Sequence, residues 1–472
     1  MFDDRASDSG GDRHDPGAAP PSVCPFGRRH ARISGFEEDE SVTEDLPNMG
    51  VVFWPVGTGD STTIVVSEDV VVQVDLHDMA KADDDDNPEV PVVDRLVEAL
   101  PTVGDRPYLA VFVLTHADKD HCLGFADLLN KVDIGELWAT PRLWREYEQA
   151  ADEKLCEDAK AFQDEAERRV KAVKKAIEEG KEPVSGDRVI VIGYDTDHDK
   201  HAYDELPEQY KSGPGKSITT LDGQSCEGRF EAFIHAPFAA DCAAERNDTS
   251  VAMQVALTET DGETGKILLF GDLAHETIMK IFTYSEKHKR NHYLEWDVLL
   301  APHHCSKKVM FLPQDGKDVL QQDIMDAFAR HSRHGAIVVS SSGVIPSSDE
   351  PGKNPPHRKA ADEYEEIVDE LICTMEWPDA GAPTPVVFAV DADGARVLRE
   401  ATVASARTAV TEGKAFRRGR RLAVITSAAT AVGCDIAKAR GQTSRGPDRI
   451  RAAIAADRGA SDVAPPPVGF GR

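Results

Sequence analysis

A single junction constrains this chain more than any other feature. The uncharged run "YLAVFVL" at 108–114 passes directly into "THADKDH" at 115–121. A run of that length without a polar face reads as a strand covered on both sides. Such a strand needs a layer packed on each face of its sheet, and it delivers its last residues to one end of that sheet. There the chain places His116, Asp118, Asp120 and His121. In extended backbone, residues i, i+2 and i+4 project the same way, so His116, Asp118 and Asp120 converge, and His121 stands where a helix begins. The end of a strand that leads into a helix is where open α/β sheets hold ligands. A solvated loop with two incidental histidines is the plain alternative, and six polar residues directly after a buried strand argue against it.

The surrounding sequence supports a layered α/β domain. "VVFWPV" (51–56), "STTIVV" (61–66) and "VVVQVD" (70–75) are short β-branched runs separated by turn residues, which predicts adjacent strands. "PVVDRLVEAL" (91–100) and "GFADLLNKV" (124–132) carry helical spacing. The strand pattern resumes at "RFEAFIHAPF" (229–238), "SVAMQVAL" (250–257), "KILLFGD" (266–272), "WDVLLAPHH" (296–304) and "GAIVVSSSG" (335–343). A helix at 359–372 and a strand at 384–393 follow. Residues 143–180 interrupt this rhythm. Trp144, Tyr147, Ala151, Leu155, Ala159, Phe162, Ala166, Val170, Val173 and Ile177 recur at steps of three or four, and Gly180 offers a stop. This predicts a long helix or helix pair inserted into the domain, either an arm packed on its own domain or a homodimer contact or lid.

Charge and cysteine usage narrow the setting. The formal charge of −30 argues against a broad basic surface for duplex nucleic acid. It is unevenly spread: from Arg396 onward there are 15 Lys and Arg against 6 Asp and Glu. The domain plan is therefore a disordered segment over 1–45, a layered α/β domain over 46–395 and a basic Ala/Arg-rich extension over 396–472. Eight scattered cysteines without a CxxC pair point to free thiols in a reducing cytosol. No secretory signal and no apolar run near the roughly 20 residues of a membrane span are visible, so the expectation is a cytoplasmic protein with no membrane partner.

The motif at 116–121 resembles the H-x-[HD]-x-D-H signature of the metallo-β-lactamase fold, in the H-x-D-x-D-H form of the ComEC hydrolase domains. Further elements of that domain occur in the same order: "VGTGDST" (56–62), "VVQVDLHD" (71–78), "RNDTSVAMQV" (246–255), "LLFGD" (268–272), "APHHCSK" (301–307) and "NPPHRKA" (354–360). The resemblance covers residues 50–393. It omits both termini, the 143–180 segment and the ComEC membrane segments. It departs at Cys305, where the family has Gly, and at Arg358, where a Pro would follow His357. Cys122 directly after His121 is a further thiol that would lie near the metals, where it could act as a ligand, be oxidised, or simply pack.

The resemblance implies an αββα sandwich holding two divalent metal ions. His116, Asp118, Asp120 and His121 would be ligands, with Asp272 bridging and His303 or His304 as the last one. His235 is either a further ligand or a core histidine. Asp60 and Asp75 would orient ligand histidines from behind. Asp120 and His357 would serve the reaction, His357 by holding a phosphate oxygen or protonating the leaving group. Asp118 makes the set richer in oxygen, so manganese rivals zinc. The implied reaction is attack by metal-activated hydroxide on a phosphodiester, with single-stranded nucleic acid or a nucleotide as partner. The same metals would also serve a carboxylic ester, lactone or thioester. A non-catalytic partner protein using 143–180 and the basic end is the reading of a different class. Nucleic-acid uptake, repair and defence against phage are settings for such an enzyme. "YDTDHDKHAYDE" (194–205) and "DDDD" (83–86) read as acidic loops, and neither "SGPGKS" (212–217) nor the turn at 57–59 has P-loop spacing.

Overall fold

The computed structural model describes residues 46–399, apart from 85, 149–154, 196–200, 242–245 and 260–261. The segment 1–45 and the basic extension beyond Arg399 fall outside the described residues. Two sheets dominate. The first runs in the order Gly394–Val397, Val386–Asp391, Gly50–Phe53, Thr62–Ser67, Val70–Val74, Arg106–Val113, Asp133–Ala139, Arg188–Ile192 and Lys211–Ser212. The second runs Ser217–Ile218, Phe230–Ala236, Ala252–Thr258, Thr264–Leu269, Trp296–Leu300, Ser332–Ser340 and Glu370–Cys373. Each changes from antiparallel to parallel partway across. In the first the switch falls at Val70–Val74 against Arg106–Val113, and in the second at Thr264–Leu269 against Trp296–Leu300.

Three separate apolar clusters reveal the layers. Along Gly50–Phe53, Val51 and Phe53 enter one cluster and Val52 another, as a period of two requires. Val111 and Val113 share the first of these with Ile267, Leu269, Val298 and Leu300, so it lies between the sheets. Leu109 and Phe112 face the opposite way, onto helices Val92–Ala99, Phe125–Lys131 and Glu157–Glu178. Leu268, Phe270, Trp296 and Leu299 line the outer face of the second sheet, under helices His275–Lys287, Gln322–His331 and Arg358–Glu365. The order is helix, sheet, sheet, helix. The central strands read as unbroken apolar runs because both of their faces are buried.

The 143–180 region forms a short helix, Arg142–Glu148, and a 22-residue helix, Glu157–Glu178. Acidic residues in its first turn, Glu157 and Asp158, suit the positive end of the helix dipole. Its apolar stripe of Ala159, Phe162, Ala166, Val170 and Val173 is buried against the first sheet, with the Phe162 ring 5.8 Å from Phe112 and 5.0 Å from Phe125. On the same side, the buried Arg169 guanidinium donates to the carbonyls of Ile134, Gly135 and Arg188. The chain itself covers this stripe, so a dimer contact through 143–180 would have to use the charged outer side.

The strand Gly394–Val397 pairs with Val386–Asp391 and crosses the boundary drawn at 396. Arg396 Nε is 2.9 Å from Asp391 Oδ2 there, and a basic residue suits an exposed edge strand as well as it suits a tail. The "YDTDHDKHAYDE" segment is also anchored: Asp195 accepts two bonds from Arg145 and stands 3.0 Å from His201 Nε2. Among the described residues, no helix is long and apolar enough to cross a membrane.

Candidate metal centre

Five strand ends converge at one edge of the sandwich. Asp75 follows Val70–Val74, His116 follows Arg106–Val113 and Asp272 follows Thr264–Leu269. His303 and His304 follow Trp296–Leu300, and Ser341 follows Ser332–Ser340. These are the carboxyl ends of the parallel strands, where the peptide chain leaves the sheet and its side chains are free to meet.

Asp272 is the hub. Its Oδ1 lies 3.2 Å from His121 Nε2 and 3.4 Å from His304 Nε2. Its Oδ2 lies 3.8 Å from His116 Nε2 and 3.7 Å from His303 Nε2. Asp120 Oδ2 joins the first side at 3.4 Å from His304 Nε2, and Asp118 Oδ2 joins the second at 3.7 Å from His116 Nε2. The two histidines of "PHH" therefore do not compete for one position; each addresses a different oxygen of Asp272. Three consecutive residues, His303, His304 and Cys305, hold this turn with φ of 51°, 55° and 62°. Left-handed backbone costs non-glycine residues of order 1–3 kcal/mol each, and it persists where surrounding contacts enforce it.

Partners behind the ring fix the tautomers. His121 Nδ1 donates to Asp75 Oδ2 at 2.7 Å. Asp75 also accepts from Thr115 N and Thr115 Oγ1, at 2.7 and 2.6 Å. His304 Nδ1 faces Asp60 Oδ1 at 3.3 Å and the Ser341 carbonyl at 3.2 Å. Both histidines thus carry the proton on Nδ1 and turn Nε2 to the cluster. The hydroxyls beside His116 Nδ1, Thr115 at 3.1 Å and Ser250 at 3.3 Å, already donate to Asp75 and to the Asn247 carbonyl. They are acceptors toward His116, so its Nδ1 carries the proton and, in the neutral ring, its Nε2 is bare.

The electrostatics follow from this crowding. Burial pushes His116 down to about 4, with His121 adding to the effect, so its imidazole is neutral at pH 7. Burial is the largest influence on His121 and His304 and opposes their charge, but the carboxylates together outweigh it, Asp272 with Asp75 for His121 and Asp272 with Asp60 and Asp120 for His304. Both are held well above the usual imidazole value. For Asp272, burial is overcome by His304, His121 and His116, which keep it well below the usual carboxylate range.

The donors present fit a metal ion. Asp60, His121, Asp272 and His304 each offer an atom within 4.8 Å of the others, and all four are buried. His116 Nε2 and Asp272 Oδ1 are buried without a hydrogen-bond partner, a state that costs about 1–3 kcal/mol per group unless something else satisfies it. Imidazoles and carboxylates are the donors that zinc and manganese take. Asp60 meets the far nitrogen of His304, which makes it an orienting partner rather than a member of the inner ring.

Several residues stand where the sequence did not put them. His235 is buried beside Phe233, with Nε2 donating to the Tyr293 carbonyl at 2.9 Å, so it is the core histidine of the two readings and joins none of the cluster's contacts. His357, expected over the metals, caps helix Arg358–Glu365 by position. Its Nδ1 accepts from Lys307 N at 3.3 Å, its own N–H donates to the Cys305 carbonyl, and it shares a further backbone bond with Lys353. It braces the histidine turn from behind. Cys305 is buried, with its thiol pushed up to about 12 by that burial, and neither it nor Cys122 belongs to the metal-capable group.

Other residues at the site, most of them inside the quoted segments 56–62, 71–78 and 246–255, carried no assigned role. Asn247 Nδ2 lies 3.4 Å from Asp272 Oδ2, and Ser250 Oγ accepts from Asp272 N at 3.2 Å, so the N-x-x-S element holds both ends of the hub residue. Arg246 Nη1 pairs with Asp118 Oδ1. Arg142 lines a small cavity beside His116 together with Thr140, Leu143 and Thr249. His77 is buried with an unpartnered Nδ1 next to Gly59, where a Cβ would stand 2.2 Å from that nitrogen and 2.7 Å from the Asp120 carbonyl. Only the order of these elements in the sequence could have flagged them; their contacts span up to 134 residues.

No protein-family model matches the chain, and no curated protein matches it. Among solved structures, the metallo-β-lactamase MIM-1 from Novosphingobium pentaromativorans is similar at 14% identity. The match covers 54% of this chain and 74% of that one, with a TM-score of 0.26.

Proposed function

We propose that this protein is a metal-dependent hydrolase of the metallo-β-lactamase fold that cleaves phosphodiesters, with single-stranded nucleic acid or nucleotides as its substrates. The observation that carries this reading is the division of Asp272, whose two carboxylate oxygens each face their own set of donors. A carboxylate in that position neutralises two cations at once. His121, His304 and Asp120 would hold one ion, His116, His303 and Asp118 the other, with Asp272 shared. Bound there, divalent ions lower the pKa of a water from 15.7 toward about 7 and offset charge that builds on a phosphoryl oxygen. Asp75 and Asp60 keep His121 and His304 in the tautomer that ligation needs. The burial of His116, His121 and His304 excludes bulk water from the ring side of the site.

The choice of an anionic substrate is supported by Arg246, which stands against Asp118 at the site. In a chain of net charge −30, a positioned guanidinium would offset the charge of an incoming phosphate. The oxygen contributed by Asp118 favours manganese as much as zinc. The test is hydrolysis of bis-p-nitrophenyl phosphate against p-nitrophenyl acetate by protein stripped of metal and reloaded with zinc or manganese. Diester cleavage that requires the ion and exceeds acetate cleavage is expected. Cleavage of acetate alone would move the assignment to carboxylic esters, and metal-independent cleavage would end it.

A further inference from the structure

The metal motif ends in a thiol, and a second thiol lies against it. Cys122 closes the helix Lys119–Cys122 directly after His121, and Cys156 caps the helix Glu157–Glu178. Their Sγ atoms are 3.5 Å apart across 34 residues of sequence. Cys122 is fully buried and its S–H donates to the Asp118 carbonyl at 3.2 Å. Cys156 is partly exposed, so a reagent meets it first. Its Sγ accepts from Ala159 N at 3.4 Å at the start of a 22-residue helix. The Ala159 N–H and the positive end of that helix favour the thiolate of Cys156. Burial without reactivity is the usual fate of a core cysteine. Here one sulfur is accessible and activated, and the other stands within reach to resolve it.

We propose that Cys122 and Cys156 form a redox-active dithiol that takes low-molecular-weight disulfides such as glutathione disulfide, and that the resulting crosslink weakens ion binding by the motif beside it. The second half rests on the metal centre proposed above. In the first step the Cys156 thiolate attacks one sulfur of glutathione disulfide, forming a mixed disulfide and expelling one glutathione thiolate. In the second the Cys122 sulfur attacks the Cys156 sulfur, the mixed bond breaks, and the Cys122 proton leaves with the second glutathione. Two protein thiols are oxidised and one glutathione disulfide is reduced, so the two electrons balance. The new bond draws sulfurs now 3.5 Å apart to about 2.05 Å. It also removes the donor that holds the Asp118 carbonyl. Asp118, Asp120 and His121 precede Cys122 by four, two and one residues, so the displacement falls on three of the proposed ligands.

The full chain, reloaded with zinc, is incubated with glutathione disulfide, alkylated without reduction and digested. The expected product is a Cys122–Cys156 peptide pair lighter by two hydrogens and released by dithiothreitol. Zinc affinity, measured by chelator competition, should fall about tenfold on oxidation, the scale of losing an outer partner of a metal ligand, and recover on reduction. Cys156→Ser retains an oxygen to accept from Ala159 N, and it should neither crosslink nor change affinity under the same treatment. Alkylation of both cysteines after oxidant, or glutathione stranded on Cys156, would overturn the dithiol. A crosslinked protein with unchanged zinc affinity would overturn its coupling to the site. Reduced protein that binds neither zinc nor manganese would instead overturn the metal-centre reading, while the peptide pair still reports on the dithiol.

Discussion

The two sides of Asp272 use the same residue types and are held in different ways. On the Oδ1 side, each imidazole has a buried carboxylate behind it, Asp75 for His121 and Asp60 for His304. On the Oδ2 side, His116 has only hydroxyls behind it, Asp118 is shared with Arg246 through its Oδ1, and the His303 side chain is 20% exposed. A carboxylate fixes ring orientation and raises the basicity of the facing nitrogen, whereas a hydroxyl does the first weakly and the second hardly at all. On the proposed reading the first side is a preorganised metal position. The second shares Asp118 with Arg246, which holds Oδ1 while Oδ2 faces His116. One ion is then expected to be resident and the other to bind more weakly.

The largest effect should come from the residue the two sides share. Asp272→Ala removes both oxygens and leaves His116, His121 and His304 without their common counter-charge. The expected result is loss of both ions and a fall in kcat/KM of at least about a thousandfold, or ~4 kcal/mol of transition-state stabilisation. Metal analysis beside diester kinetics checks it. A variant that keeps one tightly held ion would show that the sides are independent rather than joined at Asp272.

Next in size is the asymmetry itself. Asp75→Asn preserves shape but withdraws the negative charge behind His121, and it should lower affinity for the tighter ion about 10–100-fold while sparing the weaker one. Ser250→Ala acts on the other side, through His116 Nδ1 and Asp272 N, and should lower only the weaker affinity. Calorimetric titration with zinc resolves the two classes. Equal responses of both classes to Asp75→Asn would erase the distinction drawn between the sides.

A smaller effect is expected at the rim. Arg246→Ala should raise KM for an anionic diester about tenfold, since one charge-assisted contact is lost, with kcat changed less than about threefold. It should also tighten the weaker ion by freeing Asp118. If kcat falls instead and KM holds, Arg246 acts on the transition state rather than on binding, and the second side is more than a docking position.

The difference between the sides was only half legible in the sequence. The strand-to-motif junction at 113–116 is local and could be read from spacing. The extended convergence of His116, Asp118 and Asp120 was not met: Asp120 and His121 lie in the helix Lys119–Cys122, and Asp120 joins His304 while Asp118 joins His116. A layered α/β domain could be read from the alternation of strands and helices, whereas the order of the layers came only from the resemblance. The split of Val51 and Phe53 from Val52 between two cores is seen in the structure. Asp75 and Asp60 were read as orienting partners from their position in ordered motifs; in the structure they face His121 Nδ1 and His304 Nδ1. What the sequence hid was everything that depends on three-dimensional reach. The left-handed turn at His303–Cys305 sends neighbouring histidines to different oxygens, and no spacing rule announces three successive residues with positive φ. His235 and His357 looked alike to His116 as letters, yet backbone groups had already claimed their ring nitrogens. The grip of Arg246 on Asp118 spans 128 residues.

His357 offers the smallest expected effect and the sharpest check on where the site ends. Its Nδ1 accepts the Lys307 N–H, two residues past Cys305, and its backbone N–H reaches the Cys305 carbonyl. The side chain therefore supports the turn that carries His303 and His304, while the backbone bond survives truncation. His357→Ala leaves a part-buried N–H unsatisfied at Lys307, a loss of about 1–3 kcal/mol of stability. Both ions should remain, and kcat for the diester should stay within about threefold, because none of the contacts that define either side of Asp272 includes this ring. Thermal melting, metal analysis and turnover on one preparation separate the outcomes. A drop in kcat of tenfold or more, with both ions bound and the melting temperature unchanged, would mean that His357 reaches the substrate. It would then supply the proton for the leaving group. In that case the weaker side would have a fourth contributor beside His116, His303 and Asp118, and its looseness would mark the place where the substrate enters.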